Sequence, residues 1–291
     1  MRFTRPLLLT LCCTLLLASC SIIDIAYNNA ATFVASEIED VFELDEEQRQ
    51  QLDQGLQAFF SWHRQQELRR YQLVLEQTAV NVSDGITASE FLRFGEDFRH
   101  ARQRSVEYAI DQLGELAVTL TPAQVASFRR YSQEREQDDQ DYLDKSSQQR
   151  EIYRSERSMK RFEKWIGNLS NIQQQRIETR LKSLPDNYEP WIRYRSARQQ
   201  ALLALLEKTP ASTRTPAALK RVLLDPSTPY AQSFERSRRV YWQAYAEMLE
   251  EISGWLTTAQ KQKIATRLQD YALIAGRLHQ QGQVTATSLE D

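Results

Sequence analysis

Leu120-Thr121-Pro122-Ala123-Gln124 holds a complete helix entrance in five residues. The pattern recurs at Leu44-Asp45-Glu46-Glu47-Gln48, Leu169-Ser170-Asn171-Ile172-Gln173 and Leu256-Thr257-Thr258-Ala259-Gln260. In each copy the Asp, Thr or Ser oxygen is placed to accept from an early free amide of the helix, while Gln three positions on reaches back to the cap's own N–H. The preceding Leu can fold over the first turn. Apolar residues then continue one turn apart: Leu52 and Leu56, Phe128, Ile177 and Leu181, Ile264 and Leu268. Each entrance therefore feeds an amphipathic helix. The copies start 76, 49 and 87 residues apart, which excludes an equal-period solenoid and predicts an irregular all-α, multi-helix bundle.

The rest of the chain agrees with helices throughout. Eight Gly and eight Pro are few for 291 residues, and Thr121-Pro122, Thr215-Pro216 and Thr228-Pro229 each set a side-chain acceptor before a ring at the first helical position. No stretch alternates with period two over β-branched residues. Helices are expected near 28–43, 45–80, 87–118, 170–184, 188–208, 216–224, 229–253 and 257–281, with a turn at Asp84-Gly85. From Pro122 to Ile166 neither Pro nor Gly interrupts the chain, enough for a helix of about 65 Å at 1.5 Å per residue. Its middle, Glu134 to Arg150, has only Tyr142 and Leu143 as large apolar residues. A projecting, ion-paired arm is the first expectation for 122–166, and a hairpin broken near Lys145-Ser146-Ser147 the alternative.

The N-terminus gives an address. Arg2 and Arg5, an apolar run of about eleven residues from Leu7 to Leu17, and Leu17-Ala18-Ser19-Cys20 are built like a bacterial lipoprotein export signal. The run is too short to span a bilayer, which takes roughly 20 apolar residues. Such a signal implies cleavage between Ser19 and Cys20, a diacylglycerol on the Cys20 thiol and an N-acyl chain on its amine; two or three chains anchor for good. Ser21 stands where Asp would hold a lipoprotein at the inner membrane, which favours the periplasmic face of the outer membrane. The expected domains are a removed signal at 1–19, one all-α lipoprotein domain at 20–282 and a flexible tail at 283–291.

Cys12 and Cys13 leave with the signal and Cys20 carries lipid, so the mature chain has neither a disulfide nor a cysteine nucleophile. Removal of Arg2 and Arg5 leaves 35 basic against 39 acidic residues, which disfavours nucleic acid as a partner. The expected partners are the outer membrane, through the lipid, and an envelope protein, glycan or lipid. No cofactor is implied beyond the covalent acyl groups.

Catalytic signatures are missing. Three histidines, His63, His100 and His279, fall on separate helices, and no His-Glu-x-x-His, nucleophile elbow or phosphate loop occurs. His63, Glu67 and Tyr71 share one face at i, i+4 and i+8, and Glu96 with His100 offer a second i, i+4 pair. Together they could make a helix-borne metal site, or an enzyme centred on His63 and Glu67; a satisfied edge of the core is the structural alternative. Two stretches interleave rings with arginines, one through Trp191, Arg193 and Arg195, the other through Arg238, Arg239 and Trp242. A groove for an anionic or glycan partner competes there with ordinary amphipathic helices whose arginines pair with carboxylates.

Ala26-Tyr27-Asn28-Asn29-Ala30, Leu44 to Gln48, Trp62-His63 with Glu67-Leu68 and Tyr71, Arg154 to Gly167 running into Leu169-Ser170, Ser183-Leu184-Pro185 ahead of Trp191, and Leu256 to Gln260 follow one another in an order that resembles an uncharacterised family of proteobacterial lipoproteins. The likeness covers the mature length and departs from the family at Arg69, where relatives carry proline. It implies the address and the helical fold, and no activity. Leu120 to Gln124 and Leu256 to Gln260 are also similar to the paired Leu-Thr-x-x-Gln signatures of small periplasmic chaperones and stress sensors. The leading expectation is a non-enzymatic envelope scaffold or adaptor, with a chaperone or stress sensor as alternative and a metal protein or enzyme using His63 and Glu67 as a second.

Overall fold

The computed structural model describes residues 22–287. Among them every regular element is helical and no strand occurs. Residues 22–28 are helical and pass through a turn at Asn29 into α1 (Ala30–Phe42). Next come α2 (Glu46–Trp62), a π-helical stretch (His63–Glu67), α3 (Leu68–Asp84), α4 (Ala88–Leu113) and the short α5 (Leu116–Thr119). They are followed by α6 (Pro122–Leu143), α7 (Ser147–Ile166), α8 (Asn171–Ser183), α9 (Tyr188–Leu206) and α10 (Pro216–Leu224). The chain ends with α11 (Pro229–Gly254) and α12 (Thr258–Thr287).

All four signatures close as capping boxes. Asp45, Thr121 and Ser170 each accept from the amide of the Gln three positions on. Thr257 accepts from the Gln260 amide at 3.2 Å, and Gln260 returns its oxygen to the Thr257 amide at 3.0 Å. The four glutamines then pair two by two. Gln48 Nε2 donates to Gln124 Oε1 at 3.1 Å and Gln124 Nε2 to Gln48 Oε1 at 2.6 Å. Gln173 and Gln260 repeat the exchange at 2.9 and 3.1 Å. Each oxygen thus closes its own box while each NH₂ donates across the junction. A carboxylate could accept there but not donate, which is a physical reason for Gln at all four positions. The Thr87 box stands outside these junctions and closes with Glu90.

The two junctions organise separate cores. Around the first, Leu44, Leu52, Leu56, Leu120, Val125 and Phe128 are buried together with Leu205 and Leu206 of α9 and Leu219 of α10. Around the second, Ile177 and Leu181 of α8 pack with Phe162 and Ile166 of α7 and with Met248 and Ile252 of α11. Helices α3 and α12 run antiparallel along one another: Leu68 meets Ile274 and Leu278, and Ala79 meets Ala265 and Leu268. The predicted turn after α3 is present, with Gly85 at a φ of 111° that L side chains rarely adopt.

Of the two expectations for 122–166, the single arm is corrected and the break named near Lys145-Ser146-Ser147 is present. The helix stops at Leu143 and restarts at Ser147, because Ser146 caps α7 with Gln149 in a fifth box of the same kind. Nor does the polar stretch project. Asp139, buried, pairs with Arg195 of α9, and Glu136 accepts from Ser196 and Gln200 of the same helix. Tyr142 is buried edge-on against Tyr188, with ring centres 4.5 Å apart. On one side of the segment Asp139 and Glu136 find partners on α9, while Glu134, Gln137, Asp138 and Asp141 stay exposed. At the other end, α12 runs to Thr287, past the predicted stop near 281 and into the stretch expected as tail.

Candidate functional site

The π-helical stretch between α2 and α3 widens one turn, with the Leu68 amide reaching back to the His63 carbonyl. That turn carries both His63 and Glu67. Tyr27 lies over it: its hydroxyl is 2.8 Å from His63 Nδ1. Burial pushes the Tyr27 hydroxyl up to about 12 and pushes the His63 imidazolium down. Tyrosine therefore donates and a neutral imidazole accepts. Arg64 donates to Asn28 and stacks its guanidinium over the Tyr27 ring, while His279 of α12 donates through Nδ1 to the Arg64 carbonyl. The helical turn next to the expected lipid site is thereby fastened to the body.

Glu67 is fully buried, and its charge is met by two arginines. Arg104 of α4 forks onto both oxygens at 2.8 Å, and Arg70 reaches Oε1 at 2.5 Å. Burial acts to raise this carboxyl's pKa, but the hydrogen bonds and charges of Arg104, then of Arg70, outweigh it and hold it below the usual range. Tyr71 stacks on Phe98 at 5.3 Å, and Trp62 on Tyr108 at 4.4 Å, so the cluster continues as packed rings.

Among the described residues no group of three or more His, Cys, Asp or Glu is arranged to hold a metal. The set His63, Glu67, Glu96 and His100 does not assemble as such a group, and each member has another partner. Glu96 pairs with Arg99 and Arg238, and His100 Nε2 lies 2.8 Å from Arg99. Of the interleaved candidates, Arg193 alone lines the groove between α9 and α11, beside Tyr194, Phe234 and Ser237. Trp191 packs on Phe234, while Arg193 pairs with Glu189 and Arg195 with Asp139. Arg238 pairs with Glu235, Arg239 is exposed, and Trp242 turns toward Phe91. Ser19 and Cys20 lie outside the described residues.

Trp242 leads to the feature that sequence reasoning missed. An open apolar cavity of about 340 Å³ lies where α3, α4, α7, α11 and α12 meet. Its walls include Phe91 and Phe94 of α4, Phe162 and Trp165 of α7, and Trp242 and Tyr245 of α11. Leu256 and Ile264, from the last capping box and its helix, close one side beside the Gln173–Gln260 junction. Of the three wall hydroxyls, two are spent on backbone: Thr78 donates to the Val74 carbonyl, and Ser253 lies within bonding distance of the Ile86 and Glu250 carbonyls, while the third belongs to Tyr245. Burial pushes the Tyr245 hydroxyl up to about 12. The volume is at the lower end of small-molecule sites, about 300 to 1,000 Å³. No single sequence window could reveal it, because five helices supply the wall.

Residues 40–235 match the model of DUF6279, a family of unknown function, and the chain belongs to that family. The match ends inside α11, yet α12 packs along the whole of α3, so the folded unit extends beyond it. Comparison with curated proteins and with solved structures returned no match.

Proposed function

We propose that this chain is a non-enzymatic, lipid-anchored envelope protein whose working part is the apolar pocket. In this reading Cys20 holds it on the periplasmic face of the outer membrane, and the helical body acts as an adaptor that takes up an apolar ligand or segment. The pocket carries the proposal: it is aromatic-walled and open to solvent, and its Thr78 and Ser253 hydroxyls are committed to backbone carbonyls. The cluster most suited to chemistry, by contrast, has its carboxylate closed by two arginines.

The anchored reading draws support from the start of the described chain. Ile22 and Ile25, three positions apart in the helical segment just after Cys20, are 65 and 61 % exposed, and Phe33 of α1 is 62 % exposed. Apolar side chains there suit the headgroup region of a bilayer. Among the described residues no helix is long and apolar enough to cross a membrane; in this reading the attachment is the lipid. A chaperone or stress-sensor role is the second reading, favoured by the exposed edge of Trp242 at an aromatic concavity.

Two measurements test the proposal. Mass analysis of protein from the cell envelope should find Cys20 acylated and the first nineteen residues gone. The mature chain carrying Cys20→Ala should bind an environment-sensitive neutral apolar dye at one site, and Leu249→Trp, which fills the pocket from α11, should abolish binding while leaving the helical circular dichroism intact. A bare Cys20 would overturn the anchoring, and dye binding unaffected by Leu249→Trp would overturn the pocket's role.

A further inference from the structure

We infer that the pocket's ligand is a single-chain amphiphile with an anionic head, a fatty acid, with its carboxylate held by Arg161 of α7. The inference rests on the pocket being a binding site and goes on to name the chemistry it selects.

Three observations lead there. The interior offers mostly hydrocarbon and ring surface, and of its three hydroxyls those of Thr78 and Ser253 are already bonded to backbone carbonyls, which leaves that of Tyr245. A ligand head rich in donors and acceptors would therefore lose hydrogen bonds on entering, and a hydrocarbon chain would lose none. The volume, about 340 Å³, suits one chain and not the two of a phospholipid.

The third observation concerns charge. Two cations border the pocket, Arg161 and Lys261. Lys261 donates to the Asp84 carbonyl at 3.3 Å and so finishes the end of α3. Arg161 is exposed and, among the described residues, lies within ion-pair distance of no carboxylate. Its neighbours differ: Arg154 of α7 pairs with Asp186, and Arg238 of α11 with Glu235 and Glu96. Arg161 directly precedes buried Phe162 and stands one turn before Trp165, so its guanidinium sits at the edge of the aromatic wall. A planar fork at the rim of an apolar cleft matches a carboxylate whose chain continues inward.

The test uses the mature chain carrying Cys20→Ala, with the neutral apolar dye displaced in turn by laurate, dodecanol and dodecyltrimethylammonium. Laurate should compete about tenfold more strongly than dodecanol, the margin of one charge-assisted bond, and the cationic amphiphile least. Arg161→Gln should remove the preference for laurate while leaving dodecanol unchanged, and Lys261→Gln should keep it. Equal competition by laurate and dodecanol, or a preference that survives Arg161→Gln, would overturn the inference and leave the pocket reading standing. Absence of dye binding by the parent chain would defeat the pocket reading and this inference with it. Arg161 is exposed, so its variant should melt with the parent.

Discussion

The Gln48–Gln124 and Gln173–Gln260 junctions are built from one sequence signature and one reciprocal amide exchange, yet they serve different ends. In the first both glutamines are buried, and the amides take two further carbonyls: Thr119 from Gln48 and Glu43 from Gln124. That junction sits inside the largest core, where α1, α2, α6 and α9 converge. In the second only Gln260 is buried, its extra bond goes to the Asn168 carbonyl, and the helix it opens turns Ile264 and Leu268 into the pocket wall. A capping box fixes where a helix starts and which way its first turn faces. Whether the space beside it is filled or left open is decided by residues far away in sequence.

That contrast makes quantitative predictions. The largest effect belongs to the closed half, at the Glu67 ion pairs. Arg104→Met should cost about 3 kcal/mol in urea unfolding, the low end for a broken buried pair, since Arg70 remains and Arg104 is 37 % exposed. The same carboxylate sets a pH dependence. Its folded pKa is lowered, so its contribution is complete above the unfolded value of about 4.3 and is lost as pH falls through the folded one. Acid unfolding should therefore be shallower for Glu67→Gln than for the parent across that window.

Next comes the first junction. Gln48→Ala strips the Asp45 amide and the Gln124 side chain of buried partners and should cost about 2 kcal/mol. Gln173→Ala, where water can reach the vacated groups, should cost about 1 kcal/mol or less. Equal losses at the two positions would erase the distinction between a structural lock and a junction beside an opening. Smallest of all, Leu249→Trp should shift stability by no more than about 1 kcal/mol, because the added ring enters existing space; a loss of several would mean the pocket is too tight to admit a ligand.

Much of the fold was legible because its signals are local. Asp45, Thr121, Ser170 and Thr257 each announce a helix within four residues, and the predicted downstream positions Leu52, Leu56, Ile177 and Leu268 are buried. The restart at Ser146 carried the same Ser-x-x-Gln signal, but Lys145 stands where the other copies have Leu, and the polar run around it argued for a solvated arm. Pairing between boxes was hidden, since Gln48 and Gln124 are 76 residues apart and nothing near either one names the other. Arg104 was hidden as the partner of Glu67 for the same reason. The π-helical turn was masked because it leaves the apolar period on either side of it unchanged. Of the candidate site, His63, Glu67 and Tyr71 were singled out on one helix face, but Tyr27 joined them only through folding. Trp242 was singled out for its neighbouring arginines, whereas its position at the pocket comes from Phe91 and Tyr245.

Amide hydrogen exchange of the mature Cys20→Ala chain, compared with and without a saturating neutral apolar dye, bears most directly on the division between a closed half and an open one. Added protection should be confined to the pocket-facing stretches of α7 and α11 and the first turns of α12, with exchange around Gln48 and Gln124 unchanged. Protection centred on the first junction, or none at the pocket helices despite bound dye, would contradict the account.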